Sequence, residues 1–263
     1  MNFKILKELG VLIGIFLLIW VAFIFIPLKP SSPEAAISIE KEQKIGELLM
    51  KAYLSNVKLV SDSLVIESVD LIYDRLLNGM GTSEYDYRIY IIKNDNINAF
   101  ASLGGNIVIF SGLLKYADSP EEVAAVLAHE IGHVEKRHVV NKVVKELGIS
   151  LVLSILSGGD VGFLNEILQQ SVSTVFDRDQ ESEADDYGLE LLELSMMHPN
   201  AMASIFKKIR DEYGSSTYES LEFLSSHPNT NRRIKKALEY KTKKGFTSKK
   251  IDRIDWRLVQ EVL

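Results

Sequence analysis

"AHEIGHVEKRH", residues 128–138, decides how this chain is read. Its His-Glu-x-x-His core is either a metal site or an accident on an amphipathic helix. At 3.6 residues per turn, His129 and His133 stand one turn apart and project from one face, so two imidazoles can reach a single ion. Glu130 stands beside them. Such a string arises by chance in on the order of one chain per hundred of this length, so a third ligand has to be found.

His138 is the nearest candidate, and a continuous helix excludes it. Nine residues beyond His129 is about 180° round the axis, which makes His138 a structural or surface residue. A carboxylate from a second helix is the other solution. "DRDQESEADDYGLELLELS", residues 177–195, has a helical pattern rich in acids. Glu181 and Asp185, four apart on one face, can divide the work: Glu181 binds the metal and Asp185 accepts the outer N–H of a ligand histidine. Glu183 falls on the far side, and four residues on from it stands Tyr187, not a carboxylate. The bland alternative for this stretch is a solvated acidic face.

Working outward, Ser119-Pro120-Glu121-Glu122 offers an N-cap, a proline at the first helical position and a glutamate at the third, the pattern of a capping box. Residues 38–54, "SIEKEQKIGELLMKAYL", and 63–80, "SLVIESVDLIYDRLLNGM", space their apolar side chains as helices do. Residues 85–93, "YDYRIYIIK", and 106–110, "NIVIF", are β-branched and aromatic, with Gly104-Gly105 between "NAFAS" (98–102) and the latter. The expected fold is α+β and mainly helical, with the two site helices beside a small sheet containing a hairpin. The apolar run 147–156 is too short to cross a membrane and reads as a packed helix, or as a lid hinged at Gly158 and Gly159, with an interfacial membrane contact as third choice.

The chain has 263 residues, 46% hydrophobic and 25% charged, enough for one domain of moderate size and an appendage. A formal charge of -6 and a pI near 5.5 give no basic field for nucleic acid. Without cysteine, disulfides and thiolate metal sites are excluded. Residues 9–28, "LGVLIGIFLLIWVAFIFIPL", carry no charge and are long enough to span a bilayer. A cleaved signal peptide has a shorter apolar core and a small-residue cleavage site, whereas Lys29 and Pro30 follow here. The expected organisation is therefore a membrane anchor over residues 1–28, a linker over 29–37 and one folded domain, carrying the candidate metal site, over 38–263. Lys4 and Lys7 before the span favour the N-terminus inside and the domain on the extracytoplasmic side of the cell membrane. The lysine-rich stretch 241–250, "KTKKGFTSKK", reads as solvated surface, or as a contact with anionic lipid.

The combination of "HEIGHVEKRH" (129–138), "RDQESEAD" (178–185), an upstream "NAFASLGGNIVIFSGLL" (98–114) and a later "SHPNTNRRI" (226–234) resembles the gluzincin endopeptidase family of HtpX-type, CAAX-prenyl-protease-type and BepA-like enzymes. The resemblance covers roughly residues 98–234 in family order, and its single-domain, periplasmic-type branch fits best. It implies one zinc ion held by His129, His133 and Glu181, with Glu130 as catalytic base and acid and Asp185 in support. One departure is Asp177, where family members often have serine before the arginine.

The same resemblance implies that His227 and Arg233 assist at the oxyanion, with Arg232 an exposed neighbour. His227 has a second possible use, to occupy the open zinc position in a resting state. From pattern alone Gly105, Asn106, Ile107 and Val108 read equally as an internal strand of a small core, and the resemblance tips them to an edge strand on which an extended peptide pairs through its main chain. Three protein ligands leave a position for water, whose proton Glu130 takes and later returns to the leaving amine.

The function expected is a membrane-anchored zinc endopeptidase that cuts unfolded or damaged envelope proteins. The alternative is a latent or non-catalytic membrane-tethered chaperone or adaptor, against which the intact Glu130 speaks, since metal binding alone requires no such residue. A zinc aminopeptidase would need an acidic anchor for the substrate amine, and "ASLGGNIVIFSG" (101–112) offers none.

Overall fold

Ser38 and Asp62 open the first two helices. In the computed structural model, which describes residues 13–16, 18, 37–157, 175–215, 227 and 230–263, the Ser38 hydroxyl accepts from Lys41 N to start α1 (Ile39–Leu54). Asp62 accepts from Leu64 N and Val65 N to start α2 (Ser63–Met80). These caps satisfy donors that a helix start leaves unpaired. Along α2, Val65, Val69, Ile72 and Leu76 form one fully buried stripe. Each such side chain contributes about 1.5–3 kcal/mol on burial, so the stripe outweighs any local preference in fixing how α2 lies on the core.

Three strands follow, β1 (Arg88–Ile92), β2 (Ala99–Ser102) and β3 (Asn106–Phe110), in the order β1-β3-β2. β1 runs parallel to β3 and β2 antiparallel to it. Gly104 and Gly105, at φ 74° and 81°, take the left-handed backbone that turns β2 into β3. The expectation that Gly105, Asn106, Ile107 and Val108 form an edge strand is therefore corrected. Gly105 belongs to the turn, and Asn106, Ile107 and Val108 lie in the central strand, bonded on both sides and buried throughout. A continuous β-branched run is what a strand covered on both faces requires. Beyond β1 lies an isolated bridge from Leu59 to Ile92, so among the described residues the strand with no strand partner on its outer side is β2, itself buried throughout.

α3 (Ser111–Tyr116) leads into α4 (Pro120–Glu135), the helix of the quoted motif, which is buried on almost every face. The Ser119 hydroxyl caps it by accepting from Glu122 N at 3.3 Å. The reciprocal half of the expected capping box is shifted by one residue, since Glu122 accepts from Asp118 N and from the Ser204 hydroxyl instead. α4 stops at Lys136. Arg137 then adopts φ 55°, and a new helix, α5 (His138–Leu147), begins in another direction.

Gly148 breaks the apolar run, whose second half forms the short α6 (Ile149–Ser154) packed through Val152; Gly158 and Gly159 lie outside the described residues. α7 (Arg178–Leu194) opens with a full capping box between Asp177 and Gln180, so aspartate serves where serine was the family habit. α8 (Asn200–Ser215), α9 (Thr230–Glu239) and α10 (Trp256–Glu261) complete the order.

One large core lies among α2, β3, α4, α7 and α8, and a second gathers Ile37, α1, α5 and Phe176. No helix among the described residues is long and apolar enough to cross a membrane. The span expected over 9–28 and the linker lie outside them, apart from 13–16 and 18, which are helical, and Ile37.

Candidate metal centre

α4 and α7 cross at the closest approach their backbones allow. A Cβ on Gly132 would stand 2.8 Å from Ala184 O, and one on Gly188 would stand 3.1 Å from His129 N. Glycine at both positions lets a carboxylate of α7 reach two histidines of α4.

The result is a cluster of buried donors. His129 Nε2 and His133 Nε2 are 3.0 Å apart, and His227 Nδ1 lies 3.2 Å from the former. Glu181 Oε1 stands 2.9 Å from His227 Nδ1 and 3.4 Å from His133 Nε2, with Oε2 3.7 Å from His129 Nε2. All four residues are buried, and one donor atom from each lies within 4.8 Å of the others. Tetrahedral zinc at about 2.0–2.1 Å from nitrogen would space its ligand atoms roughly 3.3 Å apart, close to what is seen.

Proton bookkeeping supports the fit. His129 Nδ1 is 3.0 Å from Asp185 Oδ1 and carries the ring proton there, which leaves Nε2 with a lone pair. Burial, aided by the charge of Arg233, holds the His129 pKa down at about 4, and burial holds His133 well below the usual range, so both rings are neutral. Burial would raise Glu181, yet His227 and Arg233 keep it far below an ordinary carboxylate. Two neutral imidazoles and one anion that converge on one point fit a divalent cation.

Glu130 lies beside the cluster on the side of the sheet. Its Oε2 accepts from Ala101 N of β2 at 2.8 Å, while Oε1 has no hydrogen bond and stands 3.4 Å from His227 Nε2. Burial pushes its pKa up to about 7, poised to take and release a proton. Burial opposes charge on His227, but Glu181 and Glu130 together raise its pKa.

Arg233 of α9 is also buried here. It forks onto Asp185, with Nε 2.9 Å from Oδ2 and Nη2 2.8 Å from Oδ1. Its Nη1 faces Glu181 Oε2 at 2.8 Å, out of line for a hydrogen bond. The guanidinium is stacked 4.1 Å over the Phe206 ring. Arg232 is exposed, as expected.

The structure thus gathers His129, Glu130, His133, Glu181, Asp185, His227 and Arg233 at one place, and leaves Gly105, Asn106, Ile107 and Val108 in and beside the central strand. Three participants were not anticipated. Phe176 stacks on the His133 ring with centroids 3.8 Å apart. The Ala101 amide holds Glu130, a contact for which an alanine gives no sequence signal. His138 is buried beside His133, because the break at Arg137 removes the continuous helix that would have pointed it away. Glu183 does face away from the metal cluster, with its side chain 61% exposed.

The sequence profile of Peptidase family M48 matches residues 66–241. The chain is 31% identical over 223 residues to the beta-barrel assembly-enhancing protease of Yersinia pestis, covering 79% of this chain and 45% of that one. To the metalloprotease LoiP of Escherichia coli (strain K12) it is 30% identical over 186 residues, 68% of this chain and 71% of that one. To the mitochondrial metalloendopeptidase OMA1 of Schizosaccharomyces pombe it is 30% identical over 178 residues, 65% and 52% of the two chains. The chain spans less than half the length of the beta-barrel assembly-enhancing proteases it matches. With a profile match over about two thirds of its length, on a fold that presents this donor cluster, the chain belongs to peptidase family M48.

Proposed function

We propose that the chain is a zinc-dependent endopeptidase tethered to the cell membrane, which cuts unfolded or damaged envelope polypeptides bound in extended form along β2. The observation that carries this reading is the place of Glu130, between the donor cluster and the edge strand, joined to the latter through Ala101 N. His129, His133 and Glu181 would hold the ion. When bound, zinc supplies Lewis acidity, polarising the scissile carbonyl and making a water molecule nucleophilic near neutral pH. Glu130 Oε1, which has no hydrogen bond of its own, takes the proton of that water and returns it to the leaving amine. β2 is the terminal strand on this side of the sheet, and an extended chain would add to it through its main chain as the burying side chains, Glu130 among them, give way, so selection rests on extended conformation more than on side chains.

Arg233 is committed to Asp185 and Glu181, and so supports the ligands; His227, 3.4 Å from Glu130, is the better oxyanion donor once it leaves the cluster. A second reading is favoured by one observation: His227 Nδ1 lies among the donor atoms, 3.2 Å from His129 Nε2 and 2.9 Å from Glu181 Oε1, and would bind the ion alongside them. With four protein ligands a zinc site is closed, so the enzyme would rest latent until His227 swings away.

Membrane tethering is supported by the uncharged run 9–28 and by Ile13, Ile15 and Leu18, helical residues that are 52%, 50% and 72% exposed. Lys4 and Lys7 favour the extracytoplasmic side for the domain. The relatives' name, with its reference to β-barrel assembly, supports envelope polypeptides as substrates.

The test uses the detergent-solubilised full chain, with bound metal quantified and casein cleavage followed for wild type, Glu130→Gln and Glu181→Ala. The reading expects about one zinc per chain, cleavage lost but zinc kept in the first variant, and zinc lost in the second. A wild type that binds no zinc sinks it.

A further inference from the structure

Each ligand histidine has a second ring nitrogen that needs a partner, and the two find different ones. His129 Nδ1 meets Asp185 directly. His133 Nδ1 lies 3.0 Å from His138 Nδ1, and His138 Nε2 lies 3.1 Å from Glu183 Oε2. We propose that His138 and Glu183 form a positioning relay for the metal ligand His133. The inference rests on the metal reading above.

Proton counting gives the relay a direction. If His133 offers its Nε2 lone pair to the ion, its single ring proton is on Nδ1. That N–H donates to His138 Nδ1, which must then be the lone-pair nitrogen. The remaining proton of His138 is on Nε2 and donates to the Glu183 carboxylate. Every hydrogen has one acceptor, whereas the reverse arrangement would put the ring proton of His133 on Nε2, its ligating atom, and set the lone pair of His138 Nε2 against the Glu183 carboxylate. Glu183 thus orients His138, which orients His133 and holds it in the tautomer that ligation requires.

The backbone accepts strain to build this contact. On an unbroken helix a residue five positions past His133 would point about 140° away from it. Arg137 instead takes φ 55°, uncommon for a side chain with a Cβ, and the chain turns His138 back onto His133. Arg137 is held there by its Nη2, which donates to Ile37 O at 2.6 Å and to Glu42 Oε2 at 3.1 Å. His138 is only 3% exposed, so water competes little for its Nδ1.

The test compares wild type, His138→Ala and His138→Asn as full-length proteins. Zinc affinity is measured by competition with a chromophoric chelator, the visible spectrum is recorded with cobalt(II), and the melting temperature is measured without metal. Asparagine can place an amide oxygen where Nδ1 accepts, whereas alanine cannot. The relay predicts zinc affinity about 10–100-fold weaker in His138→Ala and within a few-fold of wild type in His138→Asn, with the cobalt spectrum altered only in the former. If wild type binds zinc and His138→Ala binds it within two-fold as tightly, the relay is refuted while the metal reading stands. The relay also fails if both variants weaken equally, in step with their metal-free melting temperatures, because His138 would then be core packing only. If wild type takes up no zinc, the metal reading fails first and the relay with it.

Discussion

The main-chain N–H of Ala101 donates to Glu130 Oε2 across 2.8 Å, so β2 and α4 meet at the side chain proposed above to handle the proton. A displacement of β2 is therefore also a displacement of the proposed base.

Glu130→Gln keeps an oxygen for Ala101 and removes the basicity. Casein turnover is expected to fall by about 10²–10⁴-fold, with zinc content and melting temperature close to wild type. Steady-state cleavage alongside elemental analysis checks this, and loss of zinc together with activity would show Glu130 to be structural.

His227→Ala separates the two uses of that histidine. A latent enzyme gains casein cleavage when His227 is removed, since the fourth position opens. An oxyanion donor gives the opposite result, a loss of about 10²–10³-fold in turnover with zinc retained. Because Nδ1 lies within 3.2 Å of both His129 and Glu181, we expect the gain.

Gly132→Ala places a methyl group 2.8 Å from Ala184 O and 3.0 Å from its Cα, and neither backbone atom can swing aside. We expect a loss of about 1–3 kcal/mol in urea unfolding, with weaker zinc binding because His133 is the next residue. A fully stable variant with wild-type affinity would show that the helices have slack at their crossing.

Glu42 gives a pH signature remote from the metal. It accepts from Tyr85, Gly104 and Arg137, but burial dominates and raises its pKa above the model-peptide value of 4.5. A carboxyl with a raised folded-state pKa stabilises most below about 4.5, and that contribution is lost as pH rises through the folded value. Stability of wild type relative to Glu42→Gln should therefore decline as pH climbs above about 4.5, as followed by urea unfolding at each pH. A flat difference would refute it.

The two site helices were legible in the sequence because helical period alone says which side chains share a face. It put His129 with His133, and Glu181 with Asp185, and sent Glu183 away from the donor cluster. It failed at His138, because the turn that redirects the chain is made by Arg137 in a conformation that glycine normally announces. The strand order was lost for another reason. "NIVIF" has no polar alternation, which suits burial on both faces, and the resemblance to a peptide-binding edge pulled the reading the other way. The edge itself is "AFAS", whose alanines mark no role. Phe176 stacks on His133 through a contact between segments far apart in the chain, which no local pattern encodes.

The donors of the cluster lie far apart along the chain: His227 is 46 residues from Glu181 and 98 from His129. An ion bound to all three would close two long loops at once, the task a disulfide performs in other proteins, and this chain has no cysteine with which to do it. The metal would then serve as a cross-link as well as a reagent, tying the segment of His227 to α4 and α7.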